Sequence, residues 1–207
     1  MAKTTTAKIS KTRRKRAPRL SPEERERQLL RLGVKAFAEL GIGNAKHADI
    51  AKAAGISVPT VFDYFPSKDA LISGVLEEVA REFRAIYDAI DEDGDARESL
   101  LVSGRLLTSL VAEKPEYARV WLMWGAIYSA GIRAGYQALE KIFLTKATAL
   151  LESTIKNGDD ENRLLDRARL MVGAGTMLTK LALDESSPER VEQYVQHVAD
   201  VLLSPGA

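Results

Sequence analysis

The chain has 207 residues, with 30 basic and 29 acidic side chains, two histidines and no cysteine. A hydrophobic fraction of 45% is typical of a globular protein with a real core. The absence of cysteine excludes disulfides, thiolate nucleophiles and cysteine-based metal sites, and two histidines do not suggest a multi-histidine metal site. The longest uncharged stretch has 13 residues, 120–132, whereas a bilayer span needs about 20. No apolar run follows the basic N-terminus, so we expect no secretory signal and a cytoplasmic protein without membrane binding.

The near-neutral net charge hides an asymmetry along the chain. Residues 1–20 carry eight bases and no acid, residues 21–66 carry six of each, and the remaining residues, 67–207, therefore carry −7. A basic arm, residues 1–18, is predicted to be largely disordered without DNA and to bind an anionic partner. A solubilising tail is the alternative. Because no Trp, Phe or Leu is interleaved in it, an amphipathic membrane anchor is the weaker choice.

Helix signals recur along the chain, and no sustained alternation indicates strands. Ser21 begins a capping box ahead of a first helix that Gly41 ends. Two short helices follow, at about 48–54 and 58–65, with Gly55 in the turn between them. Ser67 caps a long helix that is predicted to reach about Ile90. The sequence therefore starts as a three-helix unit followed by a long helix.

The remaining sequence is predicted to form about five further helices. Their boundaries are expected at Lys114–Pro115, at 131–135, at 157–159 and at 186–188, because each place carries a Pro, Gly or capping signal. This gives an all-α protein of about nine helices. We divide it into the arm (1–18), a helix-turn-helix domain (19–66) and a larger helical domain (67–207).

The segment 47–65 has the pattern of a helix-turn-helix unit. Small and aliphatic residues lie where the two helices cross, and a glycine occupies the turn. Pro59 is tolerated because it falls in the first helical turn, where its missing amide has no intrahelical partner. The second helix is too short to be stable alone, and its N-terminal side chains are expected to enter a major groove.

The residues predicted to contact DNA share an exposed position on this unit or lie in the arm. Thr60 can contact a base edge and Tyr64 a phosphate, while Lys68 can bind a second phosphate and Asp63 can accept from a cytosine amino group. Arginines of the arm are expected in a minor groove. The full prediction is Arg13, Arg14, Arg16, Arg19, His47, Ser57, Pro59, Thr60, Asp63, Tyr64 and Lys68. His47 is alternatively a cap of its own helix.

These motifs resemble the DNA-binding domain of TetR-type regulators. The carrying stretches are IAKAAGIS at 50–57, TVFDYF at 60–65 and SKDAL at 67–71. A closer resemblance is to the HapR/LuxR-type quorum-sensing master regulators of vibrios, through RLSPE at 19–23, GIG at 41–43, HADIA at 47–51 and VWLMW at 120–124. Pro59 and Asp63 depart from the Ala and Asn usual in that subgroup, so the resemblance does not give the operator sequence.

The resemblance implies a helical regulatory domain with a ligand cavity and a dimer interface formed by the last two long helices. Two apolar stripes near the C-terminus fit such an interface, and ordinary core packing is the alternative. The predicted interface residues are Leu164, Ala168, Met171, Val172, Gly175, Leu178, Tyr194, Val198 and Val201.

An aromatic cluster is the candidate ligand pocket. Trp121, Trp124 and Tyr128 have the spacing of one helical face, which can surround a small apolar ligand or simply be core. The predicted pocket residues are Phe83, Trp121, Met123, Trp124, Tyr128 and Phe143. No metal and no other cofactor are expected.

The sequence therefore predicts a homodimeric, nucleoid-associated DNA-binding regulator that reads palindromic operators, resembling a quorum-sensing global regulator. The alternative within this class is a local, ligand-responsive repressor of a neighbouring operon. An enzyme is not expected, since the chain has no H-E-x-x-H motif and no phosphate-binding glycine loop. A helical interaction module with a passive basic tail is a third hypothesis.

Overall fold

The computed structural model describes residues 20–91, 94–152, 161–184 and 186–204. The described residues contain nine α-helices and no strand, which confirms the predicted all-α class. In chain order they are α1 (Pro22–Leu40), α2 (His47–Ala54), α3 (Val58–Tyr64), α4 (Lys68–Asp88), α5 (Ala96–Glu113), α6 (Pro115–Gly125), α7 (Ala130–Glu152), α8 (Glu161–Leu183) and α9 (Pro188–Leu203).

Most helix starts follow from local capping. Ser21 accepts from the backbone N–H of Glu24, whose carboxylate accepts from the N–H of Ser21, so the predicted capping box is present. Ser67 caps α4 in the same manner, through the N–H of Ala70. The helix α4 ends at Asp88, two residues before the predicted end. The boundaries predicted at Lys114–Pro115 and 186–188 are also found, whereas the boundary at 157–159 lies outside the described residues.

The predicted break at 131–135 is wrong, because α7 runs through both glycines. The chain leaves helical structure at residues 126–129 instead. Gly135 serves close packing, since a Cβ built there would lie 3.2 Å from the ring of Trp124. The indole N–H of Trp124 also donates to the carbonyl of Ile132, in the first turn of α7, at 3.0 Å. The glycine therefore permits a close approach of α6 and α7 rather than ending a helix.

Two adjoining core clusters connect the two ends of the molecule. A large cluster of buried side chains extends from α1 to α9, and a second cluster joins the end of α4 to α5, α7, α8 and α9. The helix α4 contributes to both parts of the molecule, because it packs against α1 and also against α5, α6 and α7. At the crossing of α1 and α4, Gly33 faces Val75 so closely that a Cβ would lie 2.4 Å from a Val75 methyl group. No helix in the described part of the chain is both long and apolar enough to cross a membrane.

Candidate nucleic-acid interface

The turn between α2 and α3 sets the position of α3, which is the reading helix predicted to enter a major groove. Gly55 has φ 65° and ψ 36°, a left-handed conformation that favours glycine. The N–H of Ile56 donates to the carbonyl of Ala51 at 3.1 Å, which closes the end of α2. Ile50, Ala51 and Val61 are fully or almost fully buried. The short helix α3 is thus held by α2 and by the core, as its seven residues alone would not be stable.

The first turn of α3 presents the predicted reading side chains. Ser57 accepts from the backbone N–H of Thr60 at 3.3 Å and shares a 2.8 Å hydrogen bond with the Thr60 hydroxyl. Pro59 is in the first turn of α3, where no intrahelical amide bond is lost. Ser57, Pro59 and Asp63 are exposed, while Thr60 and Tyr64 are half-buried. The five residues therefore share one accessible helix, with the Thr60 hydroxyl already oriented by Ser57.

His47 is not part of the exposed surface, and its phosphate contact stays a prediction. The side chain is 6% exposed, and its Nε2 donates to the backbone carbonyl of Phe65 at 2.8 Å. Its ring stacks on Phe62, with centroids 3.9 Å apart and planes 5° from parallel. Phe62 in turn is 44% exposed. His47 therefore holds the C-terminal end of α3 against the start of α2.

Two lysines border the exposed side of the unit. The ammonium of Lys68 donates to the carbonyl of Gly43 at 2.6 Å and so joins the start of α4 to the loop before α2. Lys46 is exposed at the N-cap of α2, where it offers no side-chain cap. The predicted arm contacts, Arg13, Arg14, Arg16 and Arg19, lie outside the described residues.

Comparison with known proteins identifies this unit. Residues 29–75 match the family model described as bacterial regulatory proteins, tetR family. The N-terminal unit is therefore similar to the tetR family over these residues. The regulator LuxR of Vibrio harveyi, an HTH-type transcriptional regulator, is 41% identical over 109 residues, which are 52% of this chain and 53% of LuxR. The chain thus matches about half the length of this curated relative.

Solved structures share the fold of this chain over most of its length. A TetR-like regulator from Rhodococcus sp. RHA1 superposes with a TM-score of 0.75 at 22% identity, covering 90% of this chain and all of that one. The regulator FadR of Bacillus subtilis, solved with stearoyl-CoA, gives a TM-score of 0.69 at 22% identity and covers 86% of this chain and 97% of FadR. All three relatives are named as transcriptional regulators, as expected for a protein predicted not to be an enzyme.

The larger helical part of the chain contains a small, partly open cavity. Its volume is about 70 Å³, and its walls come from α4, α5, α6, α7, α8 and α9. Three of the predicted pocket residues, Phe83, Trp121 and Phe143, line it. Phe83 and Trp121 stack on each other with centroids 4.6 Å apart.

The other three predicted pocket residues lie elsewhere. Met123 is partly buried against the core, and Trp124 lines an open groove between α4 and α7. Tyr128 is 77% exposed, because α6 ends before it and the expected helical face is interrupted. Its ring lies under the guanidinium of Arg133, 4.5 Å from the centroid. Residues of α5, α8 and α9 that sequence reasoning did not assign to the pocket complete the cavity wall.

The outer surface of α8 and α9 carries an apolar groove. Leu170 is 61% exposed, Met177 47% and Val201 59%, and all three line an open groove of about 710 Å³ together with Gly173, Tyr194 and Val198. The Gly173 position is open, since a Cβ there would meet nothing within 4 Å. Exposed apolar side chains concentrated in this way are typical of an interaction surface.

Part of the predicted dimer interface faces inward instead. Ala168, Met171 and Leu178 are buried within the chain itself, and Leu164 and Val172 pack against the core clusters. Gly175 lines the cavity. The α8 stripe chosen from the sequence is therefore core, and the neighbouring stripe of Leu170 and Met177 is the exposed one. On α9, the predicted residues Tyr194, Val198 and Val201 do line the groove.

Proposed function

We propose that this protein is a homodimeric, sequence-specific DNA-binding transcriptional regulator that acts in the cytoplasm on palindromic operators. The carrying observation is the exposed first turn of α3, held by α2 and the core within the segment that matches the TetR family model. A short helix fixed in this way can enter a major groove with its N-terminal side chains. The asymmetric charge supports DNA as the partner, since residues 1–20 carry eight bases and no acid.

The α8–α9 groove is the proposed dimer interface. A second copy related by a two-fold axis would cover Leu170, Met177 and Val201 with the same residues of its own. The dimer matters because two reading helices about 34–36 Å apart fit two successive major grooves on one face of DNA. The groove is mostly apolar, and Asp166 and Arg169 form an ion pair at 2.8 Å at its edge.

Within this class we propose a global regulator of the quorum-sensing type. It is supported by the 41% identity to LuxR of Vibrio harveyi and by the resemblance to HapR/LuxR-type regulators in residues 19–23, the helix-turn-helix unit and residues 120–124. A dense basic arm adds contacts that depend little on base sequence, which suits many imperfect sites.

A local, ligand-responsive repressor is the second candidate, and the cavity favours it. The cavity is lined by Phe83, Ile86 and Tyr87 of α4, the helix whose first residue, Lys68, borders the DNA-facing side. A ligand that binds one position of α4 better than another would shift the spacing of the two reading helices. We propose the cavity as the ligand site in either case.

Selection of genomic DNA tests the proposed function. The full-length protein is mixed with fragments of its own genome at physiological salt, and the retained fragments are sequenced. Many imperfect palindromes support the global regulator, whereas one or two sites beside its own gene support the local repressor. No enrichment over random fragments would contradict DNA-binding regulation.

Two threonine variants give the selection a matched control. Thr60→Ala is expected to weaken the selected sites more than random DNA, because Thr60 lies on the reading helix. Thr145→Ala changes an exposed threonine of α7 whose hydroxyl donates to the carbonyl of Lys141, and it should leave both affinities unchanged. Equal effects of the two variants would argue against α3 as the reading helix.

The dimer is tested by sedimentation of two acidic variants. Met177→Glu places a charge in the α8–α9 groove and should shift the protein to monomers with loss of palindrome binding. Ile142→Glu makes the same kind of change at an exposed apolar position of α7 and should leave the dimer intact. A dimer that persists in Met177→Glu would exclude this groove as the interface.

A further inference from the structure

The cavity has a distinct hydrogen-bonding character. Among the described residues that line it, five carry hydroxyl groups. Four of these already donate to backbone carbonyls: Ser103 to Leu100 at 2.9 Å, Thr176 to Val172 at 3.4 Å, Thr179 to Gly175 at 2.9 Å and Tyr194 to Ala174 at 3.2 Å. The fifth is Tyr87. The cavity therefore offers a ligand one donor that its own walls do not use.

Tyr87 is half-buried, and its hydroxyl has no hydrogen-bond partner among the described residues. The ring stacks on Phe143 with centroids 3.8 Å apart and packs against both core clusters. Burial raises the pKa of Tyr87 well above its ordinary value, so the hydroxyl keeps its proton. Every fully enclosed side-chain nitrogen or oxygen of the described residues has a partner. The Tyr87 hydroxyl is thus not enclosed by protein and borders the cavity, on the side of Gly175.

The rest of the wall limits the charge of an occupant. The lining is otherwise mainly aliphatic and aromatic, and no charged side chain belongs to it in the described part of the chain. An ionised carboxylate or phosphate would gain no ionic partner here for the hydration that it gives up. The wall therefore favours an uncharged occupant.

The volume limits the size of the occupant. A cavity of about 70 Å³ exceeds the roughly 10–15 Å³ that one water needs, and is about half the engineered cavity of about 150 Å³ that binds benzene. Because the cavity is partly open, a single small ring can occupy it and extend toward the opening.

We propose that this cavity binds a small, uncharged, largely apolar molecule with a single hydrogen-bond acceptor, whose oxygen accepts from the Tyr87 hydroxyl. The inference rests on the proposed ligand site and assigns the chemical class of its ligand. Short ketones and related neutral oxygen compounds belong to this class, and anions of the same carbon skeleton do not.

Titration with matched five-membered rings tests the class. Cyclopentanone carries the acceptor, cyclopentane lacks it, and cyclopentanecarboxylate carries a charge. The full-length protein is labelled with 5-fluorotryptophan and followed by fluorine NMR. Its two tryptophans give two resonances, which the Trp124→Phe variant assigns. We expect cyclopentanone to shift the Trp121 resonance saturably, because Trp121 lines the cavity, and cyclopentanecarboxylate to leave it unchanged.

Two variants that each lack one hydroxyl distinguish the role of Tyr87 from that of the other lining residues. Tyr87→Phe should weaken cyclopentanone binding about five-fold relative to cyclopentane, which is the effect of one net hydrogen bond. Thr179→Val removes a lining hydroxyl whose donor is already used and should leave that ratio unchanged. Because the Tyr87 hydroxyl has no protein partner among the described residues, Tyr87→Phe is expected to fold normally, and its thermal unfolding checks this.

The proposal is overturned if cyclopentanone causes no saturable Trp121 shift, or if Tyr87→Phe leaves the ketone-to-hydrocarbon ratio unchanged. DNA affinity, measured by fluorescence anisotropy on the same samples, keeps the two proposals apart. Selected operators that bind normally while the titration fails would reject the ligand class and leave the regulator intact. A successful titration without DNA binding would reject the proposed regulator and leave the ligand class intact.

Discussion

The substitution His47→Ala tests whether the reading helix is held in place by a side chain that does not itself contact DNA. The ring makes two interactions with α3: a 2.8 Å hydrogen bond to the carbonyl of Phe65 and a stack on Phe62 at 3.9 Å. Removing the donor leaves a buried acceptor without a partner, at a cost of about 1–3 kcal/mol. Loss of the aromatic pair adds about 0.5–1.5 kcal/mol. We expect the free energy of unfolding to fall by about 2–4 kcal/mol.

Urea unfolding and DNA affinity at several salt concentrations check this prediction together. The variant should bind operator DNA more weakly, because α3 has seven residues and depends on its neighbours for stability. The slope of log K against log salt should stay unchanged, since no phosphate contact is removed. Phe62→Leu serves as the matched variant: it removes the stack, keeps the hydrogen bond of His47 and should cost only about 0.5–1.5 kcal/mol.

The opposite pattern of stability and salt dependence would contradict a purely structural role of His47. If His47→Ala unfolds like the parent protein but loses about 0.9 from the salt slope, His47 contacts a phosphate directly. The sequence-based interpretation of His47 as a DNA-contacting residue would then be correct.

Three further predictions concern packing, the arm and alkaline pH. Gly33→Ala should lower the free energy of unfolding by about 1–3 kcal/mol, because the added Cβ would lie 2.4 Å from a Val75 methyl group; the control Gly131→Ala has open space and should be stabilising by up to about 1 kcal/mol. Removal of residues 1–18 should reduce the salt slope of DNA binding by roughly 3–4, and an unchanged slope would mean that the arm makes no phosphate contacts. The raised pKa of Tyr87 keeps its proton on in the folded state, so its contribution to stability is complete below the ordinary tyrosine pKa of about 10 and declines as the pH rises above it. Urea unfolding at pH 9 and 11 should therefore show about 1.4 kcal/mol less loss in Tyr87→Phe than in the parent, and identical losses would contradict a raised pKa.

Local signals predicted the reading unit well. The capping box at Ser21, the turn glycine Gly55 and the cap at Ser67 each act through backbone bonds within a few residues, so they can be read without knowledge of the fold. His47 could not be assigned in the same manner. Its partner Phe65 lies 18 residues away, and only the packing of α2 against α3 decides whether the ring faces the helix or the solvent.

The C-terminal part of the chain shows more clearly which features local signals cannot predict. The helix α8 has apolar residues on adjacent stripes, with Met171 and Leu178 on one and Leu170 and Met177 on the other. Because the two stripes are one residue apart, helical periodicity predicts both equally well. The positions of α5, α7 and α9 against α8 bury the first stripe and leave the second exposed.

The sequence by itself determined the helical class, most helix boundaries, the TetR-type reading unit and the charge asymmetry, since these depend on local backbone chemistry and composition. Tertiary structure decided which side of each helix is buried, because that choice depends on neighbours distant in the chain. In the folded chain Tyr128 lies outside the aromatic pocket and His47 faces inward. The Tyr87 hydroxyl lies at the cavity without a partner among the described residues.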